Sequence, residues 1–395
     1  MVQRIPASGL TGIGGNFKNL LINGDYLVWQ RGTAAATVTD SSTTCTYLAD
    51  RWGVWEDTGG TITQEQSALD NDDFETTSQR NALLVKCTGT DSSIGAAEFV
   101  MITQVIEAQN CQGLKWGTDN AEDVTLTFWV KSNLTGTFNA VIRKPDSTCY
   151  YIPKKYTISS ANTLEKKTIT YGSGDTNGSV ITASTGDIAN DNGEGVWVQF
   201  NLAVGSNFHG TAGTWANAVT GLGTSNQTNF MSSTSNNFYL TGVQLEAGSG
   251  ASDFEHIPFD VTLQRCMRYF YRSKSNDTAS NYYAPVAAGV ASNNNQITCY
   301  TGNFVIPRTE RSIAYTSNFK VYAGQDSGAA VANTTISSMN FYDGTTGCML
   351  QPSASGTPFT INQAALLYFV NDANAYVDFD CEFNSGNIGT LSGGS

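Results

Sequence analysis

The sequence predicts an all-β chain built around a β-sandwich, and three observations carry that expectation. Apolar residues alternate with polar ones along several stretches. Val124, Leu126, Phe128 and Val130 share one face; so do Val196, Val198, Phe200, Leu202 and Val204, and Val377, Phe379, Cys381 and Phe383. A period of two with one apolar face is the pattern of half-buried antiparallel strands. The composition agrees: 40% of residues are hydrophobic and 11% aromatic, with 39 glycines among many Ser, Thr and Asn. Such a mixture suits strands joined by turn-rich loops. Helical periodicity is confined to one stretch.

Residues 1–18 are Gly-rich and unpatterned, and are expected to form an extended N-terminal arm. Their Gly-Leu-Thr-Gly-Ile-Gly-Gly run lacks the Gly-Lys-Ser/Thr and the preceding strand of a phosphate loop. From Asn19 to Ile257 strand patterns recur between turn signals, as in one large β-domain. Its opening, NLLINGDYLVWQRG (Asn19 to Gly32), reads as a first strand over Asn19–Ile22 and a turn at Asn23-Gly24-Asp25. Trp29 then seals a core edge; stacking on a sugar is its alternative role. Pro258 and Asp260 introduce VTLQRCMRYFYRSK, where Leu263, Met267 and Phe270 recur at helical spacing. A short linking helix over 258–275 is expected. Its apolar face is available for packing within the chain or on other copies of it. Residues 276–384 form a second, smaller β-domain, and 385–395 a flexible tail.

Lys and Arg number 21 against 34 Asp and Glu, a formal net charge of -13. Such a surface repels nucleic acid, and no basic stripe offsets it, so no nucleic-acid partner is expected. No apolar run reaches the ~20 residues of a membrane span, and no secretory apolar region follows Met1. The expectation is a chain made in the cytosol with no membrane partner. Eight cysteines without a Cys-x-x-Cys pair point to free thiols. The only histidines are His209 and His256, so no zinc site, other metal or cofactor is expected.

Five segments then occur in a fixed order: NLLINGDYLVWQRG, YLADRWGVW (Tyr47 to Trp55), VTLTFWVKSNLTGTF (Val124 to Phe138), FYLTGVQLEAGS (Phe238 to Ser249) and FEHIPFDVTLQRCMRYFYR (Phe254 to Arg272). Together they resemble a module of tail fibres and related virion proteins of tailed bacteriophages. The resemblance implies a jelly-roll β-sandwich over 19–257, the linking helix, and a second smaller β-sandwich that includes FVIPRTERS. More distantly, the module resembles jelly-roll carbohydrate-binding modules that open on Asn-x-x-x-Asn-Gly-x-Phe-Glu. In those relatives the Glu and a later Asp help to hold a structural calcium ion. Asn19, Asn23, Gly24 and Tyr26 keep that frame here. Leu27 and Thr241 stand where the two carboxylates would be, so the calcium site is not carried over.

The resemblance further implies a non-enzymatic virion protein: a tail fibre or receptor-binding protein, homotrimeric, docked on other virion proteins through residues 1–18 and contacting a host surface glycan. A head fibre, capsid decoration or tail-associated protein is the structural alternative, and a surface-polysaccharide depolymerase the enzymatic one. A glycan reader presents exposed aromatic faces flanked by polar side chains. Trp52, Trp55 and Trp129 lie in strand-like patterns and read as core. Trp116 and Trp215 lie in loop-like Gly/Thr/Asn surroundings and are the candidate sugar-binding residues, with Tyr150 and Tyr151 beside Lys154 and Lys155. His209 reads as a lone loop histidine. A glycosidase needs two carboxylates across a cleft. Asp70, Asp72, Asp73 and Glu75 read as a solvated loop, and Asp378, Asp380 and Glu382 as the outer face of a strand. No Gly-x-Ser-x-Gly occurs, and no catalytic residue is expected.

Overall fold

The computed structural model describes residues 17–217, 221–274, 283–301, 305, 307–309, 312–316, 319–323, 331–343, 348–370 and 375–383. The expected arm before Phe17 and the expected tail lie outside the described residues. The chain divides into two units, one reaching Thr262 and rejoined at Phe383, the other Leu263–Glu382.

In the first unit twelve strands follow one another: β1 Ala36–Thr37, β2 Thr46–Tyr47, β3 Gly53–Asp57, β4 Thr61–Ala68, β5 Asn81–Gly89, β6 Phe99–Glu107, β7 Val124–Ser132, β8 Gly136–Lys144, β9 Tyr150–Ile158, β10 Glu165–Tyr171, β11 Glu194–Val204 and β12 Asn237–Ala247. All pair antiparallel in two six-stranded sheets, ordered β1-β4-β5-β12-β7-β10 and β2-β3-β6-β11-β8-β9. Within β5 to β12, first pairs with last and second with next-to-last. That connectivity is the expected jelly roll. The inward residues of both sheets make one core in which Trp52, Phe128, Phe138, Phe200 and Phe238 are fully buried. Phe200 meets Phe128 at 4.8 Å and Trp52 at 6.4 Å between ring centres. Such tilted aromatic pairs add about 0.5–1.5 kcal/mol each beyond their area. Pro153 sits in β9, where an edge strand tolerates a missing N–H.

The opening stretch departs from the expected strand. Residues 19–29 form no strand and are held by side chains instead. Asn19 Nδ2 donates to Val243 O at 3.0 Å, while its Oδ1 accepts from Leu21 N and Leu245 N. Asn23 Nδ2 donates to Val28 O and Asp50 O, and its Oδ1 accepts from Val28 N. Both asparagines are buried, so every bond satisfies a group that water cannot reach. Gly24 lies against β12: a Cβ there would sit 2.0 Å from Val243 O. Asn23 itself has φ +59°, a conformation asparagine tolerates.

The acidic stretch expected as a solvated loop is a helix, α1 Asn71–Thr77, capped by Asp70 Oδ1 accepting from Asp73 N at 2.8 Å. After a single helical turn, α2 Ser179–Thr182, the expected linking helix forms as α3 Phe259–Met267, shorter than 258–275. Phe270, expected on that helix, opens strand β13 Phe270–Lys274 instead. The aromatic and β-branched side chains after Met267 suit a strand, and pairing decides: β13 runs antiparallel to a strand that ends at Asp380.

The second unit continues with β14 Tyr283–Ala291, β15 Ile297–Thr301, β16 Ser312–Tyr315, β17 Phe319–Ala323, β18 Val331–Asp343, β19 Cys348–Ala354, β20 Ala364–Val370 and β21 Tyr376–Asp380. The expectation of a second sandwich is corrected in its architecture, though not in its all-β class. Six strands close into a barrel ordered β14-β15-β19-β18-β17-β20, beside a three-stranded sheet β13-β21-β16. Closure leaves no exposed sheet edge in the ring. Ile297, Cys299, Val321, Leu350 and Leu367 are buried in this unit's core. Arg272 grips Asp378 with two bonds of 2.6 Å across the small sheet. Asp378 is therefore an ion-pair partner and not a free acidic group. No disulfide joins any two of the seven described cysteines.

Candidate functional site

The aromatic side chains expected to read sugar are mostly core. Trp116 and Trp215 do come together, edge to face at 5.7 Å, but they are 3% and 1% exposed. Their indole N–H groups are spent on Glu122 O (2.7 Å) and Gly172 O (3.1 Å). The expected loop exposure is therefore corrected: Gly and Thr around them let loops fold over the rings. Tyr151 is buried too, close to Gly210 and Gly221. Tyr150 is half-buried, and its hydroxyl bonds Thr185 Oγ1. Lys154 is committed to Asp175. Trp29 is buried and donates to Tyr26 O, so it takes the core role.

Lys144 organises the neighbouring loop. It is fully buried, and its ammonium donates to the carbonyls of Asp146, Thr185 and Asp187. Burial pulls its pKa down to about 8, opposed by the carboxylate of Asp146. This ties residues 185–187 to the end of β8.

The two outward faces of the sandwich differ. That of the β2–β9 sheet is covered by residues 205–217 and 221–228. Phe208 packs edge-on against Phe99, Asn201 Nδ2 bonds Leu222 O, and Gln227 bonds both Asn139 and Asn201 O. That of the β1–β10 sheet carries a groove of about 440 Å³, within the usual size of small-ligand sites. Strand register sets a two-by-three lattice beneath it, of which Lys166, Trp129, Thr127 and Gln244 line the groove. Lys166, Trp129 and Thr241 stand side by side on β10, β7 and β12, and Thr168, Thr127 and Gln244 form the next row. The end of α1 (Thr76, Thr77, Ser78) makes one wall and Ser252–His256 the other.

The site is built from its surroundings. Gln244 and Glu246 fix the second wall: Ser252 donates to both oxygens of Glu246, and Glu255 N donates to Gln244 Oε1 at 2.8 Å. Lys131, next outward from Trp129 on β7, pairs with Asp73 and so holds α1 beside the groove. A bulge between Thr241 and Gln244 places Gly242 at φ +57° under Trp129; a Cβ there would meet the indole Cδ1 at 3.0 Å. Behind the wall, burial raises the carboxyl of Asp25, opposed by its own backbone N–H and by the charge of nearby His256.

Three features of this groove have chemical consequence. Trp129 is half-buried, with polar side chains on both sides. Thr127 is 4% exposed, and its hydroxyl oxygen has no hydrogen-bond partner. Lys166 and Asp253 are exposed, and neither charge is paired among the described residues. The lining holds one carboxylate, Asp253. Two-carboxylate glycoside hydrolysis therefore has no geometry here. The arrangement can stack one face of a ring and hydrogen-bond its hydroxyls. This corrects the expectation from sequence, in which Trp129 reads as core. Parity holds the missed signal: if Phe128 and Val130 face inward, Trp129 faces outward with Thr127 and Lys131.

No protein-family model matches the chain, and no curated protein matches it. Among solved structures it is similar to the enzymatically active domain of tailspike protein 4 of Bacteriophage CBA120, at 14% identity over 58% of this chain and 21% of that one, with a TM-score of 0.27. It is also similar to a family 11 carbohydrate-binding module of Clostridium thermocellum solved with a mixed-linked tetrasaccharide (11% identity, 56% of this chain, 99% of that one, TM-score 0.27). A xylan-binding domain of Paenibacillus barcinonensis is similar at 9% identity, over 56% of this chain and 99% of that one, with a TM-score of 0.25. The chain thus spans about a fifth of the tailspike domain's solved chain and nearly all of each module's.

Proposed function

We propose that this chain is a non-enzymatic glycan-binding protein whose groove over Trp129 contacts a saccharide. The carrying observation is the combination of a half-buried indole with a buried, unpartnered Thr127 hydroxyl on the same groove floor. A sugar satisfies both at once: its apolar face stacks on the ring while a hydroxyl fills the orphaned bond. The five-segment resemblance adds the setting. On this reading the protein is a virion component of a tailed bacteriophage that contacts host surface glycan. It docks on other virion proteins through residues 1–18 and assembles as a homotrimer.

Fluorescently labelled protein titrated onto host cells tests the reading. Saturable binding that added surface polysaccharide competes away is expected, weakened about five- to 150-fold by Trp129→Ala, the loss of one aromatic anchor worth ~1–3 kcal/mol. A folded Trp129→Ala protein that binds as wild type removes the groove from the function. No binding by the folded wild type favours a purely structural virion role.

A further inference from the structure

We infer that the groove selects a saccharide carrying a carboxylate, held with its acid group at Lys166 and its hydroxyl groups toward Asp253. This rests on the glycan reading above and specifies the ligand's class.

Acids exceed bases by 34 to 21 in this chain, yet Lys166, like Lys18, Lys155, Lys274 and Lys320, has no carboxylate partner among the described residues, and of these it alone lines the groove. Lys86, Lys115, Lys131, Lys154 and Lys167 each pair with a carboxylate. Lys166 pairs with none among the described residues, although its neighbours on β10, Glu165 and Lys167, pair with each other. Register sets Lys166 directly across from Trp129 and both line the groove, so the lysine stands beside the indole, where a stacked sugar places an exocyclic group. An acid group there gains a charge-assisted hydrogen bond without breaking any internal pair.

Asp253 gives the groove a direction. It lies on the opposite wall from α1, in the segment anchored by Gln244 and Glu246, and its carboxylate is also unpaired among the described residues. It accepts hydroxyl protons and repels a second carboxylate. An acidic sugar bound the other way round sets like charges together and leaves Lys166 empty. The Thr127 hydroxyl, one row from Trp129, fixes the ring between the two charges.

The test uses the full chain on a glycan array that pairs acidic oligosaccharides with their carboxyl-reduced forms, including oligogalacturonates and hyaluronan fragments. Calorimetry then follows on the best pair. The acidic member should bind at least tenfold more tightly than its reduced form. Lys166→Gln should bring the pair within about twofold of each other, and Asp253→Asn should preserve or increase the preference. Both residues are exposed, so neither variant threatens the fold. Equal affinity within pairs, or an acidic preference that survives Lys166→Gln, overturns the acidic class while leaving a glycan groove in place. No binding to any member overturns the glycan reading together with it.

Discussion

Replacing Gly24 with Ala tests whether the segment before the first strand is a structural clamp. The new Cβ falls 2.0 Å from Val243 O, a backbone atom that cannot swing aside. Residues 19–24 must lift from β12, and four hydrogen bonds go with them. These are Val243 N to Gly24 O (2.8 Å), Leu20 N to Leu245 O (2.9 Å), Asn19 Nδ2 to Val243 O (3.0 Å) and Leu245 N to Asn19 Oδ1 (3.1 Å). At about 1 kcal/mol each the loss is ~4 kcal/mol. For a unit of this size that lowers Tm by roughly 10 °C. All seven tryptophans, Trp29 to Trp215, belong to the first unit, so thermal unfolding followed by tryptophan fluorescence reports on the sandwich alone. Gly32→Ala is the control. Its φ is +124° with nothing within 4 Å of the added Cβ, so it should cost only about 1 kcal/mol of backbone strain. A Gly24→Ala protein as stable as the Gly32→Ala protein refutes the clamp.

Four further outcomes follow from the same structure. Lys144 has a folded pKa depressed from 10.5 to about 8, so the unfolded chain holds the extra proton between those values and stability rises with pH across that window. Denaturant titrations at pH 7 and 9.5 should show a gain of about 2 kcal/mol in wild type that Lys144→Met lacks; parallel profiles would count against a buried, titrating lysine. Glu56 is buried with one oxygen unpartnered and its carboxyl raised by burial, and Asp40 and Asp57 add to that. The folded state therefore binds the extra proton, and stability should fall as pH climbs above the ordinary carboxyl range. Glu56→Gln should flatten that slope, as read by melting temperature at pH 5 and 7. Trp116→Ala and Trp215→Ala should each destabilise the sandwich by about 3–5 kcal/mol, and unchanged melting with lost cell binding would reverse their assignment to the core. Gly242→Ala should reduce glycan binding with little loss of Tm, because it displaces the Trp129 ring; unaltered affinity would show that the bulge does not position it.

The fold was legible where one rule dominates. The alternation at Val124–Val130 and Val196–Val204 marks strands because burial of one face leaves no other solution. The groove was harder to read. Its aromatic residue sits in a strand beside apolar neighbours, and only parity separates Trp129 from Phe128. Trp116 and Trp215 misled for the opposite reason. Loop composition says nothing about whether other loops fold back over a side chain, and here they bury both rings. The second unit shows a further limit. Strands such as β20, Ala364–Val370, meet edge to edge in a ring through pairings far apart in the chain, which local pattern does not carry. At Phe270 local helical spacing lost to partnership with Asp380, a contact 110 positions away that no window of sequence reveals.

The strand that opens the second unit and the strand that leaves it lie side by side: Phe270 is paired with Asp380 and Lys274 with Tyr376. A segment whose two ends are neighbours can be removed or exchanged with little disturbance to the chain that carries it. The Leu263–Glu382 unit thus has the form of a cassette. Recombination at its two seams would exchange one barrel for another and pass the Asn19 clamp and the Trp129 groove on unchanged. Diversity in that unit can then arise in whole-domain steps, independently of the point-by-point drift that reshapes a groove.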